Sequence, residues 1–346
     1  MKIKNRLRPA ADCDCRTDEA GVILIALLWI LMALSAIALS FSKESFVEVA
    51  AARNTQSLET SYFVARAGLE ETIYKLLQKR STPSVRGAEV SESPNPLDLG
   101  QATGDFGGGL YSVGIQDEAG KINLNLAAEE QIRALAVASG INPLDADIIA
   151  ESIMDWRDPD KAHRINGAED DYYQALNPPY KAKNGRFDTV EELLMVRGVT
   201  PEYFYGYPER APDGSITYKY GLSRYFTVYS SLNRININFA PLPVLMSVPK
   251  MSPEAALMIF QRRQLEPFKD LTEITRELPI NLEAGTLSSF ITQDTGTYTL
   301  TVSARTKDSR ARRVIRTVIQ FDPRETKQYR TLYWNENIPD YEGIAP

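Results

Sequence analysis

The chain has 346 residues, 43% of them hydrophobic and 24% charged, with a formal net charge of −6. That is material for two or three ordinary domains with real cores, and an acidic balance argues against a nucleic-acid binder, which needs a basic footprint. The only two cysteines, Cys13 and Cys15, precede the first apolar segment, which excludes a disulfide framework for everything after it.

Residues 1–21 carry five cations against four acids, leaving −7 for the remainder. Val22 to Phe41 follows as twenty residues without a charge, about 30 Å of helix and so about one bilayer thickness. A secretory signal peptide would have a shorter apolar region and a small-residue cleavage site. The basic start, Lys2 to Arg8, favours a cytoplasmic N-terminus with the rest of the chain outside. Helical periodicity continues through Phe46, Val49, Leu58, Tyr62, Ala65, Leu69, Ile73 and Leu76, with no proline before Pro83. The spacing predicts one helix from about Val22 to Gln78, with 22–41 in lipid and 42–80 amphipathic and packed on a globular domain.

Ser81 to Gly109 is rich in Ser, Pro and Gly and reads as a linker. Strand patterns then appear at Leu110–Gln116, Tyr225–Ser230, Thr297–Arg305 and Arg313–Phe321. The last two read as a hairpin with Tyr298, Leu300, Val302 and Ala304 on one face. The expectation is an α+β fold in which the long helix packs on a small antiparallel sheet made from 110–120, 221–233 and 297–322. The C-terminal segment 323–346 has no clear pattern.

The sheet is interrupted by a large, mainly helical insertion containing an internal repeat. Lys121–Ala127 (KINLNLA) matches Arg234–Ala240 (RININFA), and each leads to a helix beginning with proline, Pro143 or Pro253. The match resumes at Phe187 (FDTVEEL) and Phe268 (FKDLTEI). The boundaries are then 121–220 for the first insertion and 234–296 for the second unit. From Ile149 to Phe187 is 38 residues and from Ile259 to Phe268 only nine, so about 29 extra residues are spliced into the first copy. The splice gathers Asp155, Asp158, Asp160, Glu169, Asp170 and Asp171. Carboxylates this dense repel unless neutralised, and hard oxygen ligands suit Ca²⁺, although the spacing is not that of an EF-hand. The competing reading has the acids capping helices and pairing with Arg157, Lys161, Arg164 or Arg186. The lone His163 has no cysteine to join it, and no nucleotide-cradling or nucleophile motif is present, so no enzyme is expected.

A short basic leader ending in Gly21 before a long apolar helix resembles type IV pilins and type II secretion pseudopilins. The resemblance implies cleavage after Gly21 by a prepilin peptidase and methylation of the new N-terminus, Val22. It also implies a glutamate at the fifth mature position, where this chain has Ala26. That departure, the helical repeats and the D-W-x-D and G-A-E-D-x-Y-Y signatures around Asp155 and Glu169 are similar to the K-type minor pseudopilins. Membership would imply I-type and J-type minor pseudopilins as partners, an inner-membrane assembly platform, calcium in the helical domain, and a tip position that initiates and caps the pseudopilus. The repeats also resemble helix-hairpin-helix units of DNA receptors, which opens a membrane-anchored DNA-binding or uptake alternative. The hairpin turns carry at most one glycine each and Pro249 removes a donor, so no nucleic-acid partner is expected.

Overall fold

The computed structural model describes residues 17–81, 102–210, 216–230, 232–336 and 338. In chain order the elements are α1 (Thr17–Ser81), β1 (Ala102–Phe106), β2 (Gly109–Asp117), β3 (Ile122–Asn123), α2 (Glu129–Ala138), α3 (Pro143–Arg157), α4 (Asp170–Gln174) and α5 (Pro201–Tyr205). There follow β4 (Tyr207–Arg210), β5 (Ile216–Lys219), β6 (Phe226–Thr227), β7 (Ile235–Asn236), α6 (Leu242–Met246), α7 (Pro253–Leu265), α8 (Thr272–Glu277), α9 (Ala284–Ser288), β8 (Phe290–Ile291), β9 (Thr297–Thr306), β10 (Arg312–Phe321) and β11 (Tyr329–Asn335).

Internal contacts divide the chain into two units, residues 1–59 and 60–346. The first contains the apolar part of α1, long and apolar enough to cross a membrane, with every residue from 22 to 41 exposed. Phe46 and Val49, expected on a packed face, are also exposed. Burial of α1 begins only in the second unit, where Val64, Ala65, Leu69, Ile73 and Leu76 recur at helical spacing and pack on the sheet.

The sheet has five antiparallel strands in the order β1-β2-β9-β10-β11. Its helix-facing side carries Tyr111 and Val113 of β2, Tyr298, Leu300, Val302 and Ala304 of β9, and Ile315 and Ile319 of β10, as the period-two pattern predicts. Tyr111 lies in a slot cut by two glycines: a Cβ at Gly68 of α1 would come within 2.5 Å of its ring, and one at Gly104 of β1 within 2.3 Å.

Three expected boundaries change. The 221–233 segment does not join this sheet, because β6 pairs in parallel with β3 inside the insertion. The expected linker 81–109 contains β1, which pairs with β2 from Ala102 onward. The C-terminal segment contains β11, which extends the sheet beyond β10. The strand pattern at Tyr225–Ser230 cannot name its partner, and β1 and β11 are not marked as strands by their own alternation; the partner strand supplies the pairing.

The repeat is structural. β3 pairs with β6 through Ile122 and Phe226, and β7 pairs with β8 through Ile235 and Phe290, both parallel. In each copy the first asparagine accepts from the backbone N–H two residues on: Asn123 from Asn125 at 2.8 Å, Asn236 from Asn238 at 3.1 Å. The second asparagine clamps a phenylalanine from both sides. Asn125 donates to Phe187 O (3.0 Å) and accepts from Phe187 N (2.8 Å); Asn238 does the same with Phe268 (2.9 and 2.8 Å). Two helices follow in each copy. The second is capped by Asn142 or Ser252 with proline in its first turn, which satisfies an orphan N–H and presets the backbone. An arginine closes each unit, Arg157 donating to Leu124 O and Arg263 to the equivalent Ile237 O, both at 2.6 Å. The turn before the second helix needs a left-handed residue, Gly140 in one copy and Lys250 in the other. One continuous apolar core joins the two copies.

Candidate metal centre

The spliced segment is anchored by aromatics. Trp156, 2% exposed, meets Tyr173, fully buried, edge-on at 5.3 Å, and Tyr173 stacks on Tyr180 at 5.2 Å. Burial of this size holds a loop in one place. Its first turn is pinned from beneath: Asn166 donates to the buried Glu151 through its backbone (2.6 Å) and its side chain (2.9 Å), and Arg197 donates to Gly167 O at 2.8 Å.

Of the six acids expected to form a site, three come together. One carboxylate oxygen from each of Asp158, Asp160 and Glu169 lies within 4.8 Å of the others. Asp160 is exposed, Asp158 partly buried, and Glu169 only 2% exposed. Glu169 Oε1 and Oε2, Asp158 Oδ1 and Asn184 Oδ1 are all buried and lack a hydrogen bond of normal geometry. Burial raises the Glu169 pKa above the usual carboxylate range, Asp155 and Asp158 push it further, and the Asn184 side chain offsets only part of this.

The other three have different duties. Asp155 is fully buried and accepts from Arg164 through both its backbone N–H (3.1 Å) and its guanidinium. Asp170 accepts from Ala182 N at 3.0 Å and faces Lys161 at 3.5 Å. Asp171 is exposed on α4. Arg164 also reaches Asp158 at 2.8 Å, so acid–cation pairing accounts for part of the cluster. Arg157 takes no part in it and caps carbonyls instead. His163 is exposed, its ring against Arg164 O, and lies outside the three-carboxylate group.

The residue not anticipated is Asn184. It sits before Gly185 with a left-handed φ of 48° and donates to Asp160 O at 3.0 Å; the Asn-Gly dipeptide is the signal that marks such a turn. Two or three carboxylates and an amide oxygen, with buried lone pairs unused, fit a hard divalent cation such as Ca²⁺. The residues that would hold it are Asp158, Asp160, Glu169 and Asn184, and the ion would offset both the desolvation of Glu169 and its repulsion from Asp155 and Asp158.

Gly21, Val22 and Ala26 all lie within α1, which begins before them at Thr17. Residues 1–16, most of the expected leader, lie outside the described residues.

Two family models match the chain, both described as type II secretion system (T2SS), protein K: one covers residues 111–206 and the other 235–290. The chain is similar to type II secretion system protein K of Aeromonas hydrophila, 26% identical over 294 residues, which is 78% of this chain and 83% of the relative. The corresponding protein of Pectobacterium carotovorum subsp. carotovorum is 30% identical over 116 residues, 32% of this chain and 35% of the relative. Among solved structures, a chain of the GspK-GspI-GspJ complex from the enterotoxigenic Escherichia coli type 2 secretion system matches with a TM-score of 0.61 and 16% identity, over 83% of this chain and 99% of that one. Both family models fall on the segments that carry the repeat and the acidic splice, so residues 111–206 and 235–290 match type II secretion system protein K, and the fold is similar to that of a chain of the GspK-GspI-GspJ complex.

Proposed function

We propose that this protein is a minor pseudopilin that sits at the tip of the pseudopilus, initiates its assembly and caps it for export of folded proteins. The observation that carries the reading is the fold match to a chain taken from a three-protein GspK-GspI-GspJ complex, which supports I-type and J-type minor pseudopilins as partners. Processing by prepilin peptidase at Gly21–Val22, methylation of Val22 and contact with an inner-membrane platform belong to the same reading. So does a single-pass topology with a cytoplasmic N-terminus and a periplasmic globular part.

Ala26 is the residue on which capping turns. A carboxylate in lipid is costly unless paired, so a subunit with alanine there cannot offer the pair that would hold a neighbour beyond it. The DNA-receptor alternative has little support: the chain is acidic, and in the second hairpin turn Pro249 removes one of the N–H donors that a phosphate cradle needs.

The test is co-purification of the full chain with the I-type and J-type subunits of the same secretion system, with Ala26→Glu assayed alongside for pseudopilus length and secretion. A stable ternary complex with altered filament length in the variant is expected. No complex removes the partner assignment, and unchanged length and secretion make the missing carboxylate incidental.

A further inference from the structure

Arg164 is a cation placed beside a centre suited to a cation. Its guanidinium sits among three carboxylates: Nη1 donates to Asp155 Oδ1 and, at 2.8 Å, to Asp158 Oδ2, and Nε faces Glu129 Oε2 of α2 at 3.5 Å. Its backbone N–H takes the other oxygen of Asp155 at 3.1 Å. A planar fork tied at several points is fixed in orientation as well as in place. An arginine this close would ordinarily repel an arriving ion. Asp155 offsets this: it is fully buried, has both oxygens on Arg164 and lies outside the three-carboxylate group, so its charge balances the guanidinium.

Asp158 is shared differently. Its Oδ2 is held by Arg164, whereas its Oδ1 is buried and has no hydrogen bond, and its carboxylate stands in one group with Asp160 and Glu169. Glu169, 2% exposed, has neither oxygen in a hydrogen bond of normal geometry. A carboxylate free to turn can present either oxygen to an ion; one gripped from behind by an outer partner offers only the other. Resting on the reading that Asp158, Asp160, Glu169 and Asn184 hold a divalent cation, we propose that Arg164 is the positioning residue of that centre: it grips Asp158 by Oδ2, so that Oδ1 is the atom presented to the ion. Arg164 touches no ion itself and acts only through Asp158.

The full chain in a neutral detergent is titrated with calcium by calorimetry and with terbium, a hard ion of similar ligand preference, by luminescence in light and heavy water, which counts the waters on the ion. Two variants separate geometry from charge. Asp155→Asn combined with Arg164→Gln leaves the net charge around the centre unchanged and frees Asp158 to turn. Arg164→Lys keeps the cation and gives up the fork. Each should weaken calcium by at least about tenfold and bring an extra water onto bound terbium; should the double variant fail to fold, the lysine variant decides alone. Affinity unchanged in the variants leaves the metal centre in place and overturns the role of Arg164. So does weaker binding with the same water count, which would show Asp158 still on the ion. A parent chain that binds neither ion removes the centre, and this assignment with it.

Discussion

Gly167 lies so close to Asp155 that a Cβ built on it would stand 1.8 Å from Oδ2. The contact comes from the buried helix end pulling the acidic segment down onto itself: Asp155 takes the backbone N–H of Arg164, and a two-residue turn later Gly167 passes over the same carboxylate. Relief would need Asp155 to swing away from the Arg164 backbone N–H and guanidinium that it accepts from. Gly167→Ala should therefore cost about 2–4 kcal/mol, in the range of overpacking combined with a broken buried ion pair. Thermal unfolding of the variant checks this, and a loss under 1 kcal/mol would mean that the turn can move away from Asp155.

Calcium should raise the melting temperature of the full chain, by linkage on the order of 2.7 kcal/mol at a hundredfold excess over the dissociation constant. Glu169→Gln should abolish that shift while leaving the calcium-free protein at least as stable, since it removes a buried negative charge that has no strong partner. Melting curves with calcium, with magnesium and with chelator decide it. If millimolar calcium moves neither protein, the acids serve only Arg164 and Lys161.

Asn238→Ala should destabilise more than a typical surface change, by roughly 2–4 kcal/mol, because both backbone groups of buried Phe268 lose their partner. Asn125→Ala should cost less, since Asn125 is only half-buried and water can reach its site. Denaturant unfolding of the two variants gives the comparison, and equal losses would show that burial does not set the difference.

Stability should fall as pH rises from about 4 to about 7. Asp117 is 5% exposed, with Oδ1 accepting from Ala119 N at 2.8 Å and Oδ2 unpartnered. Burial, opposed in part by that N–H, and the neighbouring Asp294 and Glu118 push its pKa up from 3.8 to about 7. Between those values the folded chain holds a proton that the unfolded chain has released, so each rise in pH favours unfolding. Asp117→Asn keeps the acceptor and removes the titration; it should flatten the slope and gain on the order of 2–4 kcal/mol at pH 8. Parallel slopes for parent and variant, from melting temperature against pH, would rule out Asp117 as the source.

The sequence by itself determined whatever is periodic or local. Twenty uncharged residues from Val22 to Phe41 mark an apolar helix, alternation on β9 names the face that packs on α1, and the two N-x-N segments followed by proline-capped helices declare the repeat, because each depends on spacing within one stretch. The tertiary structure decided what depends on a partner. β6 reads as a strand of the main sheet yet pairs with β3, and β11 has no pattern until β10 lies beside it. Density of acids could name six candidates but could not distribute them. Burial against Trp156 and Tyr173 turns Asp155 into an anchor for Arg164, leaves Asp171 in solvent, and brings Asn184 to Glu169 across fifteen residues of chain, since a shared site is made by packing rather than by proximity in sequence.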